Sequence, residues 1–363
     1  MQSLPFLLRR PVLLVRGLLL NRRKPDLDFL GGITDPDRFG WVILPHVARS
    51  FATSILWLSK SAAHAARVGY LYARMLDTYE DMALDEEERL AGLRWFARRF
   101  DTRDFAVPAP PVVLSVSDHR DEVYRLLVER YALIDQLYLA LPVSDQESVA
   151  VMVGAMASSM EAWGTTFENQ GGVLQTVDQL DQYCDDVIGE PARFAVSLMF
   201  PQQPSSLQAE QITRVSEFIQ LANITRDIER DLVHGVAYHP SLLPFLRLPA
   251  QDAVDPIRMV RTELLVRALR RAPAFTGLLN ELPLPAFSAA RGSACVMLLF
   301  TDRYYRGCAV KAGQAPWPGS DSTLWIVWSS LLALVSSRWT KRLSRRIETR
   351  MLAAAESIAG SPA

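Results

Sequence analysis

The chain has 363 residues, 49% hydrophobic and 22% charged, with a formal net charge of −1. That length and apolar content suffice for a large core, as one big helical domain or two smaller ones, and the near-neutral balance argues against general nucleic-acid binding. Cys184, Cys295 and Cys308 are odd in number and lack CxxC or Cys/His spacing, so a disulfide framework or a zinc site is not indicated and a reducing cytoplasm is the default.

Met1 to Lys24 carries Arg9, Arg10, Arg16, Arg22, Arg23 and Lys24 among leucines and valines, with no acid. Arginines interrupt the apolar run a signal peptide needs, so residues 1–40 read as a basic and apolar segment with an interfacial membrane anchor. Helical periodicity dominates from there on, without alternating strands or repeats, and all-α is the predicted class. The spacing predicts helices over 48–60, 63–83, 85–100, 119–141, 144–168, 176–188, 191–200, 207–232, 255–281, 286–308 and 321–357. Breakers fit these limits: Pro108, Pro110 and Pro111, Gly171 with Gly172, Pro201 with Pro204, and Pro316 with Pro318. Nothing resembles an interdomain linker, so residues 41–320 read as one body and 321–363 as a C-terminal segment. Thr323 to Ser337 is apolar and bears tryptophan, and Arg338, Lys341, Arg342, Arg345 and Arg346 follow it. Fifteen residues fall short of the roughly 20 that span a bilayer. A buried helix with a basic continuation and a surface helix both stay open; the two termini together point to peripheral attachment to an anionic leaflet.

Two acidic clusters carry the chemistry. Asp77, Glu80 and Asp81 end the apolar segment 65–76, and Asn223, Asp227 and Asp231 follow Phe218-Ile-Gln-Leu-Ala. Carboxylates at i, i+4 lie one turn apart, roughly 6 Å along the helix. Such ridges need a cation, and Mg²⁺ shares its positions between one or two carboxylates, waters and substrate phosphates. Acidic i, i+4 pairs are mostly solvated faces. Here both lie in predicted core helices, with Arg74 one turn before Asp77 and Arg226 beside Asp227, as a phosphorylated ligand requires. Apolar side chains below the acids would give a charged mouth over a greasy pocket, the shape for a prenyl diphosphate. No GxxxxGK[ST], strand-borne GxGxxG or nucleophile elbow competes with this reading.

Several ordered motifs resemble the squalene/phytoene synthase family, the head-to-head prenyl diphosphate synthases, nearer its squalene-synthase side. Ala48-Arg49-Ser50-Phe51-Ala52 is similar to the SRSFA segment, Tyr70, Arg74 and Leu76 to Asp81 to the LDTxED motif, and Tyr183-Cys184 with Val187-Ile188-Gly189 to YCxxVAG. Asn223 to Asp231 matches NxxRDxxxD, and Tyr305 to Lys311 resembles a basic segment of eukaryotic squalene synthases. The resemblance covers about residues 41–315. It implies an isoprenoid-synthase fold, a single helical domain whose two aspartate-rich helices face a central cavity. It implies that Asp77, Glu80, Asp81, Asn223, Asp227 and Asp231 hold Mg²⁺, with Mn²⁺ as the alternative ion. Arg49, Ser50, Phe51, Arg74, Asn223, Arg226, Tyr238 and Lys311 would bind substrate or its diphosphate. Tyr70 and Tyr183 would sit beside the carbocation, with Asp77, Asp81, Asp227 and Asp231 completing the catalytic set. NADPH enters where the family reduces the coupled product to squalene.

The chain departs from the family pattern at several points. GRxYxP reads Gly235-Val236-Ala237-Tyr238-His239-Pro240, so Val236 replaces a phosphate-binding arginine. Asp185 and Asp186 follow Tyr-Cys, and Pro191-Ala192 replaces a Val-Gly pair. These changes leave two enzyme readings: head-to-head condensation of two farnesyl diphosphates to presqualene diphosphate, squalene or a related C30 product, and transfer of a prenyl group to a non-isoprenoid acceptor such as an aromatic ring. A non-catalytic, membrane-associated assembly factor is the third reading, against which the complete acidic motifs count. The expected location is cytoplasmic, peripheral on the inner face of the membrane, with no nucleic-acid partner and the oligomeric state open.

Overall fold

A computed structural model describes residues 24–48, 50–110, 113–200, 202, 204–282 and 284–360. Arg49 and residues 1–23 of the predicted N-terminal segment lie outside the described residues. The class is all-α: helices and two short 3₁₀ turns occur, with no strand among the described residues beyond the isolated bridges Ala83 to Leu114 and Val173 to Ala237.

Two compact units divide the chain. The first runs to Ala162 and includes Phe194–Met199. Its helices are α1 (Leu27–Gly31), α2 (Pro36–Ala48), α3 (Ser50–Trp57), α4 (Lys60–Met82), α5 (Glu86–Thr102), α6 (His119–Glu129), α7 (Tyr131–Leu139) and most of α8 (Val143–Asn169). The axis of this unit is α4, which packs against α2, α3, α5, α6 and α7. Ser59 caps its start by accepting from the Ala62 amide. Val68, Tyr72, Met75, Tyr79 and Met82 recur at i+3 and i+4 and are buried, so its other face is left for polar side chains. Helix α5 crosses closely because it has glycine at 92, where a Cβ would fall 2.2 Å from the Tyr79 ring.

The second unit holds Trp163–Arg193 and the chain from Phe200 onward. The main helices are α9 (Val177–Met199, whose last turns belong to the first unit), α10 (Ser206–Val233), α11 (Val254–Leu269), α12 (Ala272–Glu281), α13 (Ala289–Lys311), α14 (Thr323–Val335) and α15 (Ser337–Ala359). A capping box between Ser205 and Gln208 starts α10, which packs against α11, α12 and α13.

Several predicted boundaries shift, each for a local reason. The predicted 48–60 helix shortens to α3, and it is preceded by α2, whose Pro45 hid it. The predicted 119–141 helix breaks at Arg130, which leaves helical geometry at ψ 20°. The 255–281 helix restarts at Ala272, where Pro273 has no amide to leave unpaired in a first turn. Residues 321–357 break at Ser336, whose hydroxyl caps α15 at Trp339. The predicted pair 176–188 and 191–200 is instead one helix that carries Pro191 inside it.

Candidate active site

The first acidic motif ends α4 on the face left out of the core. Arg74 and Asp77 are half-buried and paired at 3.1 Å. The Arg74 guanidinium also donates to the Tyr70 hydroxyl at 3.1 Å and lies 5.0 Å from the Tyr124 ring centre. The Tyr70 hydroxyl donates to the Val47 carbonyl at 3.3 Å, and its ring lies 5.6 Å from that of Phe51. These contacts fix Arg74 from three sides. Burial pushes the Tyr70 phenol up, with Arg74 working against it, so this hydroxyl is a neutral donor. Burial likewise raises the Asp77 carboxyl to about 6; Arg74 opposes the shift and the Asp81 charge adds to it. A helix end that resists its own ionisation in this way suits a cation.

The second motif lies on α10. Asn223, Asp227 and Asp231 form a half-buried ridge, while Ile224, Thr225, Ile228 and Leu232 between them are buried. Arg226 clamps Asp227 with both prongs, at 2.8 and 2.5 Å, and lies 5.5 Å over the Tyr304 ring. Lys311 sits at the C-terminus of α13, where it donates to the Arg226 carbonyl at 2.9 Å and lies 3.8 Å from Glu229. Glu229 is held in turn by Arg261 at 2.5 Å. Lys311 thus braces the backbone of the second motif. The side chain of Asn223 donates to Gln220 at 3.1 Å.

Tyr183 and Tyr238 meet with hydroxyls 3.3 Å apart, and Trp163 and Phe167 close around Tyr183 at 5.5 and 5.9 Å between ring centres. Phe167 also meets Tyr238 at 5.9 Å. Sequence reading missed Trp163 and Phe167, although an aromatic pair at i, i+4 on one helix was there to be found. Tyr238 borders a small gap with Asp231, Val236, Ile228 and Leu242, which brings the aromatic cluster to the end of the carboxylate ridge.

Asp185 and Asp186 have partners of their own. Trp163 and Gln182 donate to Asp186 at 2.9 and 2.8 Å, and Arg193 reaches Asp185 at 3.3 Å and Glu190 at 2.9 Å. After α10, Gly235 turns the chain at φ +83°, and Gly172 at φ +90° lies so close that a Cβ there would fall 2.3 Å from the Gly235 carbonyl oxygen. Arg247, left-handed at φ 60°, donates its amide to the Leu232 carbonyl at 2.8 Å. Its guanidinium lies over Gly235, with Nε 2.9 Å from where a Cβ would stand.

Among the described residues no group of three or more His, Cys, Asp or Glu side chains gathers as a ready-made metal site. The donors present are carboxylate and amide oxygens on two helices, the set a hard cation takes together with water and phosphate. Ser50 begins α3 and Arg49 lies outside the described residues.

A model of the squalene/phytoene synthase family matches residues 44–296. Among curated proteins, the chain is 28% identical to a squalene synthase of Cyberlindnera jadinii over 205 residues, 54% of this chain and 44% of that one. It is 27% identical to a lycopaoctaene synthase of Botryococcus braunii over 206 residues, 55% of this chain and 43% of that one. The chain therefore spans less than half the length of these relatives. Two solved ligand complexes of TcSQS share its fold at TM-scores of 0.57 and 0.59, each with 18% identity over 89% of this chain and 99% of the other.

Proposed function

The chain belongs to the squalene/phytoene synthase family, and we propose that it is a Mg²⁺-dependent prenyltransferase joining two farnesyl diphosphates head-to-head to presqualene diphosphate, squalene or a related C30 product. One observation carries the reading: the carboxylate ridge of α10 ends at the gap bordered by Asp231 and Tyr238, where the aromatic cluster begins. Charge for a diphosphate and π faces for an allylic cation then adjoin, as an ionisation needs.

Asp77, Glu80, Asp81, Asn223, Asp227 and Asp231 are the residues that would hold Mg²⁺, which when bound draws negative charge onto the leaving diphosphate. Arg74 and Arg226 are held by carboxylates and rings and so present fixed cationic groups to phosphate oxygens. Trp163, Phe167, Tyr183 and Tyr238 shield and stabilise positive charge, and the paired hydroxyls of Tyr183 and Tyr238 can hold or hand on a proton. Transfer to a non-isoprenoid acceptor rests on Val236, Asp185, Asp186 and Pro191; of these, Asp185 and Asp186 are engaged by Arg193, Trp163 and Gln182, which favours a packing role for them.

Val236 removes one phosphate contact, and Arg247 over Gly235 is the cation placed to replace it. Arg247→Ala is expected to raise KM for farnesyl diphosphate about tenfold, the lower range for a lost charge-assisted hydrogen bond, with kcat little changed. Adding Val236→Arg to that variant should restore KM. An unchanged KM in Arg247→Ala rejects the substitution of one arginine for the other.

The reading itself is tested by incubating the protein with Mg²⁺ and farnesyl diphosphate, with and without NADPH, and identifying hydrocarbon and dephosphorylated products by mass spectrometry. A C30 product is expected. Squalene formed only with NADPH assigns the second half-reaction, and presqualene alcohol alone places the stop after the first. Binding of farnesyl diphosphate without any C30 species would reject head-to-head coupling.

A further inference from the structure

We propose that α14 and the first turns of α15 form a surface that docks on an anionic lipid bilayer. Helix α14 is built inside out. Its core side carries Ile326, Ser329, Ser330 and Ala333, all buried, whereas Leu324, Trp328, Leu331 and Val335 are 79%, 57%, 40% and 62% exposed. Their spacing of four, three and four residues makes them one stripe along the helix. A water-facing helix shows the opposite distribution.

The stripe is not the result of a loosely placed helix. Gly292 lets α13 approach so closely that a Cβ there would meet Leu334 at 2.7 Å and the Ser330 carbonyl at 3.3 Å, which explains the small residues on the inner side. Buried Arg291 donates to the carbonyls of Ala333 at 2.8 Å and Leu334 at 3.3 Å, holding the C-terminal end. Trp339 donates to the Ser329 carbonyl at 3.2 Å, and its ring lies 6.2 Å from that of Trp325, so α15 begins against the middle of α14.

The charge beside the stripe selects the partner. Arg338, Lys341, Arg342, Arg345 and Arg346 are all exposed, and none has an ion-pair partner among the described residues. Exposed arginines on other helices include matched ones, Arg125 by Glu129 at 2.9 Å and Arg214 by Glu210 at 2.8 Å. No acid occurs between Asp321 and Glu348. A second copy is disfavoured, because a two-fold interface would bring the same five cations onto the same patch. Anionic headgroups neutralise them while the acyl boundary takes Leu324, Trp328, Leu331 and Val335. At 1.5 Å per residue the 13-residue helix is about 20 Å long, too short for a hydrocarbon core of about 30 Å, so it lies in the interface. No helix among the described residues is long and apolar enough to cross a membrane.

The test is flotation of the full chain with vesicles of phosphatidylcholine alone or mixed with phosphatidylglycerol. Binding to the mixed vesicles is expected, weakened by salt. Leu324→Ser/Trp328→Ser/Leu331→Ser and, separately, Arg338→Glu/Arg342→Glu should each weaken it about tenfold or more, with thermal midpoints and turnover of soluble farnesyl diphosphate unchanged. Brominated lipid should quench part of the tryptophan emission of the unaltered chain and none of that part in Trp328→Ser. No vesicle binding, or binding that both sets of changes leave intact, overturns the proposal; the latter assigns attachment to another segment such as residues 1–24. A dimer in sedimentation velocity that Trp328→Ser dissolves, without vesicle binding, overturns it in favour of a second copy.

Discussion

Asp227→Asn and Asp81→Asn should each lower product formation from farnesyl diphosphate by about 10²- to 10³-fold, the usual loss when one fixed electrostatic contact to a developing charge is removed. The exchange keeps the size of the side chain and deletes its charge, so packing on α10 and α4 is preserved. Asp227 has a second task, because it is the bidentate partner of Arg226 at 2.8 and 2.5 Å. Arg226→Lys separates the two: it keeps a cation beside Asp227 but lacks the planar fork, and should cost less than Asp227→Asn. A Mg²⁺ titration of the residual activity gives the second readout. If the carboxylates hold the ion, half-activation moves to higher Mg²⁺ in both Asn variants, and it stays in place in Arg226→Lys. Full turnover in both Asn variants, at unchanged thermal midpoint, would sink the metal assignment.

How much of this was legible before the structure varies by element. The two helices with the chemistry were predicted at 63–83 and 207–232 and found at Lys60–Met82 and Ser206–Val233, because each has a long apolar repeat and a serine cap. Prolines misled in both directions. Pro191 suggested a break that the helix does not make, and Pro45 hid α2, which is needed to place Val47 under the Tyr70 hydroxyl. Sequence named Tyr183 and Tyr238 but not their neighbours Trp163 and Phe167, whose i, i+4 spacing shows a shared helix face but not which rings that face meets. Asp185 and Asp186 looked like additions to an acceptor site until their partners came from positions as distant as Trp163 and Arg193. Arg247 had no signal at all: its nearness to Gly235 depends on two positive-φ residues and the turn between them. Apolar composition flagged 323–337 without telling its inner face from its outer one, and only packing against α13 and α15 decides that.

Asp135→Ala should destabilise the first unit by about 3–5 kcal/mol, the range for stranding one member of a buried ion pair. Asp135 joins three helices: it accepts from Arg99 of α5 at 2.5 Å and from the Tyr72 hydroxyl of α4 at 2.7 Å, and it lies on α7. Burial pushes its carboxyl up, with Arg99 and Tyr72 working against that rise. Arg99 is itself buried between Trp95, Phe105 and Tyr131, at 4.1, 4.7 and 5.5 Å from their ring centres. Its Nε and Nη1 already lack hydrogen-bond partners among the described residues, so beyond the ring faces Asp135 supplies the anionic compensation the charge has. Removing Asp135 leaves a guanidinium in an aromatic cage. Tyr72→Phe/Arg99→Leu/Asp135→Leu removes the charge with its partners and should recover most of the loss, since apolar replacement of a whole buried pair is often neutral. Urea unfolding followed by tryptophan fluorescence measures both variants. Because Tyr72 lies on the helix that carries Asp77 and Asp81, product formation by Asp135→Ala should fail at a lower temperature than in the unaltered chain, with turnover below that temperature retained. A loss under about 1 kcal/mol would mean that the pair behaves as an exposed one and that α4 is held by apolar packing alone.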